Sequence, residues 1–205
     1  MNRYIEDIKK ATCVEANYCK WIDLYYEKNY PNDEAKWERM KESVFSYEFY
    51  KNFRENMKKN SERYEGLCFH AEITKRLSDD GNGIYYPDFV LHGGQHEMDN
   101  NLIAIEIKTK DRIPNNNTKE GQKNLLEDIK ALIAYVEELK YEIGLFICVN
   151  KTTSDLRKNV EHVYNLNKDG DLKRTNETLN KICFIGTVSE DKEIEDFTLS
   201  ECSDV

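Results

Sequence analysis

The stretch Leu102-Ile103-Ala104-Ile105-Glu106-Ile107-Lys108-Thr109 constrains the fold more than any other part of the chain. Its side chains alternate. Ile103, Ile105 and Ile107 fall on one face of an extended strand, and Ala104, Glu106 and Lys108 fall on the other. The isoleucine face needs cover from another layer, while the opposite face carries charges of both signs. The next two segments set the kind of layer. Glu120 to Lys140 repeats Leu125, Ile129, Leu132, Ile133 and Val136 at helical spacing. Ile143 to Val149 is an unbroken apolar run of strand length, as in a strand buried on both faces. Strand, amphipathic helix and buried strand in succession indicate a layered α/β domain.

The first third of the chain has a different period. Tyr4, Ile5, Ile8, Ala11, Val14, Tyr18, Trp21, Ile22 and Tyr25 recur at three- and four-residue steps, which predicts a helix ended by Asn29-Tyr30-Pro31-Asn32-Asp33. A second helix is expected from Asp33 to about Lys59. It carries Trp37, Phe45, Tyr47, Phe49, Tyr50 and Phe53, aromatics that at this spacing belong to a core or an oligomer interface rather than to base stacking. A third helix is expected over Ser61 to Leu77, then a strand over Ile84 to His92 and a polar loop to Asn101. Beyond the central helix and strand, Ser154 to Tyr164 reads as helix and Ile182 to Val188 as a last strand. The order from residue 61 is α-β-β-α-β-α-β. The expected architecture is a mixed central sheet flanked by helices over 61–188, with a helical N-terminal extension over 1–60 and a solvated acidic tail over 189–205.

Charge narrows the function. The chain holds 39 Asp and Glu against 30 Lys and Arg, a net charge of −9, and the tail alone carries seven acids against one base. Such a balance is unlike that of a non-specific nucleic-acid binder, whose affinity comes from neutralising phosphates. No apolar run reaches the ~18 residues of a membrane span, and Met1 to Lys10 lacks the apolar core of a secretory signal, so no membrane role and a cytoplasmic location are expected. The six cysteines form no C-x-x-C pair, and several sit inside apolar runs. They read as reduced, buried thiols, not zinc ligands.

One constellation carries chemistry: Pro87-Asp88 on the first predicted strand and Glu106-x-Lys108 on the second. Glu106 and Lys108 share a strand face, and a short hairpin would lay Asp88 beside them, since paired strands run ~5 Å apart. Two carboxylates from adjacent strands suit a hard divalent cation, and a lysine beside it can orient or deprotonate a water. The plain alternative is a cross-strand ion cluster worth about 0.2–1 kcal/mol.

These segments resemble the core motif of the PD-(D/E)xK nuclease superfamily, which has the restriction-endonuclease-like fold. The similarity runs through Tyr86-Pro87-Asp88-Phe89-Val90-Leu91-His92 and Leu102 to Thr109. It continues through Asp128-Ile129-Lys130-Ala131-Leu132, Tyr135 and Gly144-Leu145-Phe146-Ile147, about residues 61–150 in all. The family core is αβββαβ, so one strand is missing from the order given above. The resemblance implies Asp88 and Glu106 as ligands of Mg²⁺ or Mn²⁺, the Ile107 carbonyl as a further ligand, and Lys108 as the water-activating residue. It also implies a carboxylate from the preceding helix. Glu65 and Glu72 both qualify, and the Glu65…His70 spacing favours Glu65. The family lysine of the later helix is replaced here by Ala131, and Lys130 points elsewhere on a helix. His70 and His92 are candidates for phosphate contacts but read more simply as structural. His96 and Glu97 read as solvated loop residues. The implied activity is metal-dependent hydrolysis of phosphodiester bonds, in DNA before RNA, in a microbial restriction or defence setting. The alternative is a non-catalytic binding or assembly subunit on the same fold. For it, the aromatic N-terminal helices are the candidate surface for a homo-oligomer or partner subunit.

Overall fold

A computed structural model describes residues 3–12, 42–71, 75–76, 84–93, 100–109, 118–188 and 194–202. The elements are α1 (Arg3–Thr12), α2 (Glu42–Lys59), β1 (Cys68–Ala71), β2 (Lys75–Arg76), β3 (Ile84–Tyr85), β4 (Phe89–His92) and β5 (Asn101–Thr109). Then come α3 (Lys119–Glu137), β6 (Ile143–Val149), α4 (Thr153–Asn167), α5 (Asn176–Leu179), β7 (Ile182–Thr187) and β8 (Phe197–Thr198). Six strands form one mixed sheet in the order β1-β4-β5-β6-β7-β8. β1, β4 and β5 form an antiparallel meander, β5, β6 and β7 run parallel, and β8 returns antiparallel on β7. The pair β2–β3 stands apart from this sheet.

The alternation of β5 decides what each face meets. Ile103, Ile105 and Ile107 are fully buried in one core with Leu145 and Ile147 of β6, Ile5 and Ile8 of α1, and Phe45, Phe49 and Phe53 of α2. The three phenylalanines recur every four residues, so one stripe of α2 lies on the sheet, with Phe49 edge-on to Phe69 at 6.0 Å and to Phe89 at 5.5 Å. Asp7 of α1 is buried, and its carboxylate accepts from Arg63 at 2.6 Å and from the Tyr64 hydroxyl at 2.8 Å. These contacts tie α1 to the turn after α2. Both described N-terminal helices are thus one layer of the domain rather than an extension of it. Trp37 and the rest of residues 13–41 lie outside the described residues.

α3 and α4 cover the other face through Leu125, Ile129, Leu132, Leu156, Val160 and Val163. Thr118 and Thr152 cap them by accepting from the N–H groups of Gly121 and Asp155. α3 approaches β6 closely. A Cβ on Gly144 would stand 2.9 Å from the Leu132 carbonyl oxygen.

Two expectations are corrected. The described part of Ser61 to Leu77 is not a helix. A single 3-10 turn spans Ser61–Tyr64, and Gly66 takes φ +73°, a left-handed conformation a helix cannot contain. The chain then extends as β1, with Phe69 buried and its neighbours more exposed. The order read from the sequence has a helix in place of this strand. The C-terminal stretch is also not wholly a solvated tail. Phe197, Leu199 and Cys202 are buried, and Asp196 pairs with Lys9 of α1. Apolar side chains beneath the acidic ones attach residues 194–202 to the edge of the sheet. No described helix is long and apolar enough to cross a membrane.

Candidate functional site

The site begins with a break in the hairpin. Pro87 has no N–H to donate, so the β4 ladder starts only at Phe89, which pairs with Ile105. Asp88 sits just outside it, level with Glu106. Its carboxylate serves as acceptor beyond the end of the ladder: Ile107 donates its N–H to Asp88 Oδ2 at 2.7 Å. That bond fixes the side chain on the face opposite the isoleucines, where Glu106 and Lys108 also project.

There the three groups converge. Lys108 Nζ donates to Glu106 Oε2 at 2.9 Å and to Asp88 Oδ2 at 3.3 Å. The Glu106 side chain is 8% exposed, Lys108 12% and Asp88 30%, so the cluster opens to solvent at Asp88. α3 closes it from above, where the buried Tyr135 hydroxyl donates to Glu106 Oε1 at 2.6 Å. Asp128, also buried, lies two turns earlier on the same helix face.

The electrostatics come from this enclosure. Burial pushes the Glu106 carboxyl up, the Lys108 charge opposes the shift, and the Asp88 charge adds to it. Burial alone would lower the Lys108 ammonium, but Glu106 and Asp88 together outweigh it and hold it above the usual lysine range. Tyr135 is raised by burial and by the Glu106 charge, so it stays a protonated donor.

A cation therefore already stands between the two carboxylates, namely the Lys108 ammonium. That placement tests whether the pair fits a metal. Both carboxylates aim at one point that holds positive charge, and both are hard oxygen donors. Mg²⁺ takes one or two carboxylates and keeps several waters, so Asp88 and Glu106 suit Mg²⁺ or Mn²⁺ in type and number. Among the described residues no group of three or more His, Cys, Asp or Glu is placed to hold a metal. The remaining positions would fall to main chain, water and substrate. Ile107 is joined to Asp88 through its N–H.

The other candidates lie further off. Glu65 is exposed just after the 3-10 turn, beyond the Cys68 end of β1. Cys68 pairs with His92, four residues along β4 from Asp88 or ~13 Å at strand rise, so the structure does not bring Glu65 to the site. Glu72, His96 and Glu97 lie outside the described residues. The carboxylate that does reach the Asp88 cleft is Glu42, in the first turn of α2. Sequence reasoning missed it by taking the wrong helix as the one before the hairpin. His70 Nδ1 and His92 Nε2 lie 2.9 Å apart, with His92 fully buried, an arrangement that serves packing of β1 on β4. Lys130 pairs with Asp171 at the surface, 3.0 Å apart. Comparison with protein-family models, curated proteins and solved structures finds no match to this chain.

Proposed function

We propose that the protein is a metal-dependent nuclease of the PD-(D/E)xK type, acting most readily on DNA. The observation that carries the reading is the convergence of Asp88, Glu106 and Lys108 into one hydrogen-bonded cluster that opens to solvent at Asp88. With the separate β2–β3 pair set aside, the order α2-β1-β4-β5-α3-β6 is compatible with the αβββαβ order that the resemblance implies, which supports the reading.

Asp88 and Glu106 would hold Mg²⁺ or Mn²⁺, which when bound polarises a phosphoryl oxygen and makes its water more acidic. The chain's own groups do the positioning. The Ile107 N–H orients Asp88, and Tyr135 orients Glu106 from α3. Lys108 supplies a fixed positive charge beside the place where negative charge builds on the phosphate. Pre-set donors of this kind need no rearrangement as the bond breaks.

The test is cleavage of end-labelled single- and double-stranded DNA and RNA with Mg²⁺ or Mn²⁺. Wild type should cut in metal and not in EDTA, and Asp88→Asn and Lys108→Met should each lose at least a hundredfold in rate. If the wild-type chain cuts none of the four substrates, the cluster is a structural ion network and the fold serves as a binding module.

A further inference from the structure

Only three large apolar side chains are strongly exposed among the described residues: Tyr47 at 70%, Leu166 at 63% and Tyr86 at 60%. Two of the three flank Asp88. Tyr86 stands two residues before it in the chain. Tyr47, expected from its spacing to belong to a core or an interface, is instead exposed and lines a cleft of about 470 Å³ together with Glu42, Asp88, Tyr50 and Ala71. Leaving a tyrosine ring in water forgoes the gain of burying it, and here one exposed ring lines the cleft at Asp88 while the other belongs to a residue two positions before Asp88 in the chain.

The cleft has a continuation. α2 buries Phe45, Phe49 and Phe53, and the neighbouring stripe of the same helix reads Ser46, Tyr47, Tyr50, Arg54, Lys58. Ser46, Tyr47 and Tyr50 face the Asp88 cleft. Arg54 and Lys58 line a second hollow of about 330 Å³ beside Cys68 and His70 of β1, and no carboxylate of the described residues lines it. The two hollows succeed one another along α2 and the outer side of β1, with Ser46 and Lys58 ~18 Å apart at helical rise. Arg54 joins them. It donates to the Tyr50 hydroxyl at 3.0 Å and lies 5.6 Å from that ring's centre. The order along the groove is carboxylate cluster, exposed rings, then cations.

From this order we infer that the groove between α2 and the edge strand β1 is the substrate track, and that the strand it takes is a single-stranded polynucleotide. Bases would stack on Tyr47 and Tyr86 beside Asp88, and the phosphates leading away would meet Arg54 and Lys58. The inference rests on the phosphodiesterase reading of Asp88, Glu106 and Lys108 and adds the substrate class to it. Rings of this kind grip bases whose faces are free, and a duplex keeps its base faces stacked. Duplex binders typically neutralise about six to ten phosphates. Among the described residues this groove offers two cations, in a chain of net charge −9, enough for a strand held mainly by stacking.

The experiment is fluorescence anisotropy with labelled oligo(dT), oligo(rU) and a blunt duplex, with Ca²⁺ and again in EDTA. Tyr47→Ala and Tyr86→Ala alter exposed side chains, and their melting curves should match wild type. Each should weaken binding of the single strands about tenfold or more. The duplex should bind at least tenfold more weakly than the single strands. The Arg54→Ala/Lys58→Ala chain should lower the slope of log affinity against log salt by about 1.4, or ~0.7 per lost phosphate contact. Equal binding of oligo(dT) and oligo(rU) means readout by base faces and phosphates alone. A preference for one reports on the 2′-hydroxyl or the thymine methyl group, which oligo(dU) separates, and both results fit the track. The track is overturned if both tyrosine variants bind as wild type, or if the duplex binds as tightly as the single strands. It is also overturned if Tyr47→Ala splits a dimer without changing oligonucleotide affinity. Failure here is separable from failure of the nuclease reading. Metal-dependent cleavage that is unchanged in the tyrosine variants removes the track and keeps the nuclease. Tyrosine-dependent binding without cleavage in any metal does the reverse.

Discussion

Replacing Lys108 by methionine tests the charge balance of the site directly. The ammonium lies 2.9 Å from a Glu106 oxygen and 3.3 Å from an Asp88 oxygen. At an effective dielectric constant of about 20, each contact is worth about 5–6 kcal/mol of gross attraction. Desolvation of all three groups and repulsion between the carboxylates cancel much of that. What remains on removing one partner of a buried cluster is typically about 3–5 kcal/mol of lost stability. For a chain of 205 residues this corresponds to a melting temperature roughly 6–20 °C lower, at about 2–4 °C per kcal/mol. The assay is thermal unfolding in EDTA, with Lys158→Met as control. Lys158 forms an exposed pair with Asp155, so its loss should cost under about 0.5 kcal/mol. Mn²⁺ is then titrated into the Lys108→Met chain. A divalent ion entering the vacated cation position should recover about 2.7 kcal/mol at a concentration a hundred times its dissociation constant. It should also bind more tightly than to wild type, because the ammonium no longer competes. If Lys108→Met melts within ~2 °C of wild type in EDTA, the ammonium does not hold the carboxylates together. If Mn²⁺ leaves the variant unshifted, the point between Asp88 and Glu106 is no cation site and the metal-dependent mechanism loses its basis.

The same geometry gives three further expected outcomes. Tyr135→Phe removes a buried donor to a carboxylate with little change of shape, and should cost about 1.5–3 kcal/mol in urea unfolding; an unchanged midpoint would show that α3 does not anchor Glu106. Gly186→Ala should destabilise far more than Gly66→Ala. At Gly186 a new Cβ would come within 2.5–2.6 Å of the Lys151–Thr153 backbone, whereas at Gly66 it meets only open space and costs ~1 kcal/mol for a left-handed φ. Burial pushes the Cys148, Cys183 and Cys202 thiols up to about 12, while unfolded thiols ionise near about 8.5. Between those values the unfolded chain has released protons that the folded chain retains. Their contribution is therefore fully present below about pH 8.5 and falls as pH rises toward 12. Denaturant midpoints measured across that range check the direction, and site-resolved alkylation at pH 8 should mark Cys68 while sparing these three.

Where the signal was local, the sequence carried the fold. The alternation over Leu102–Thr109 became β5, and the periodic run over Glu120–Lys140 became α3 within three residues at its end. Ser61 to Leu77 misled because Tyr64, Leu67 and Cys68 fall at helical spacing. The warning was Gly66, whose left-handed backbone ends any helix and frees Phe69 to enter a strand. That slip spread to the site. With the wrong helix before the hairpin, Glu65 and Glu72 are the candidate carboxylates; with α2 in its place, the helix carboxylate facing the cleft is Glu42. Asp88, Glu106 and Lys108 could be placed together because strand pairing is a short-range rule. Tyr135 could be seen on the core face of α3, but its bond to Glu106 joins residues 29 apart. No periodicity within either element reports such a contact.

The chain's acidity takes on a different meaning once position is known. Asp196 pairs with Lys9, and Glu201 pairs with Arg157, so part of the C-terminal charge serves to attach that segment to the helices α1 and α4. The carboxylates of the site already face a cation and would face two more positive charges with a divalent ion bound. The groove along α2 has its cations at the end away from those carboxylates. A polynucleotide laid along it would meet positive charge first at Arg54 and Lys58 and need the metal only where the bond is cut. Under the proposed reading, metal-free affinity for bulk duplex stays low while a single strand in the groove is held, so the net charge of −9 acts as a filter on substrate rather than an obstacle to binding.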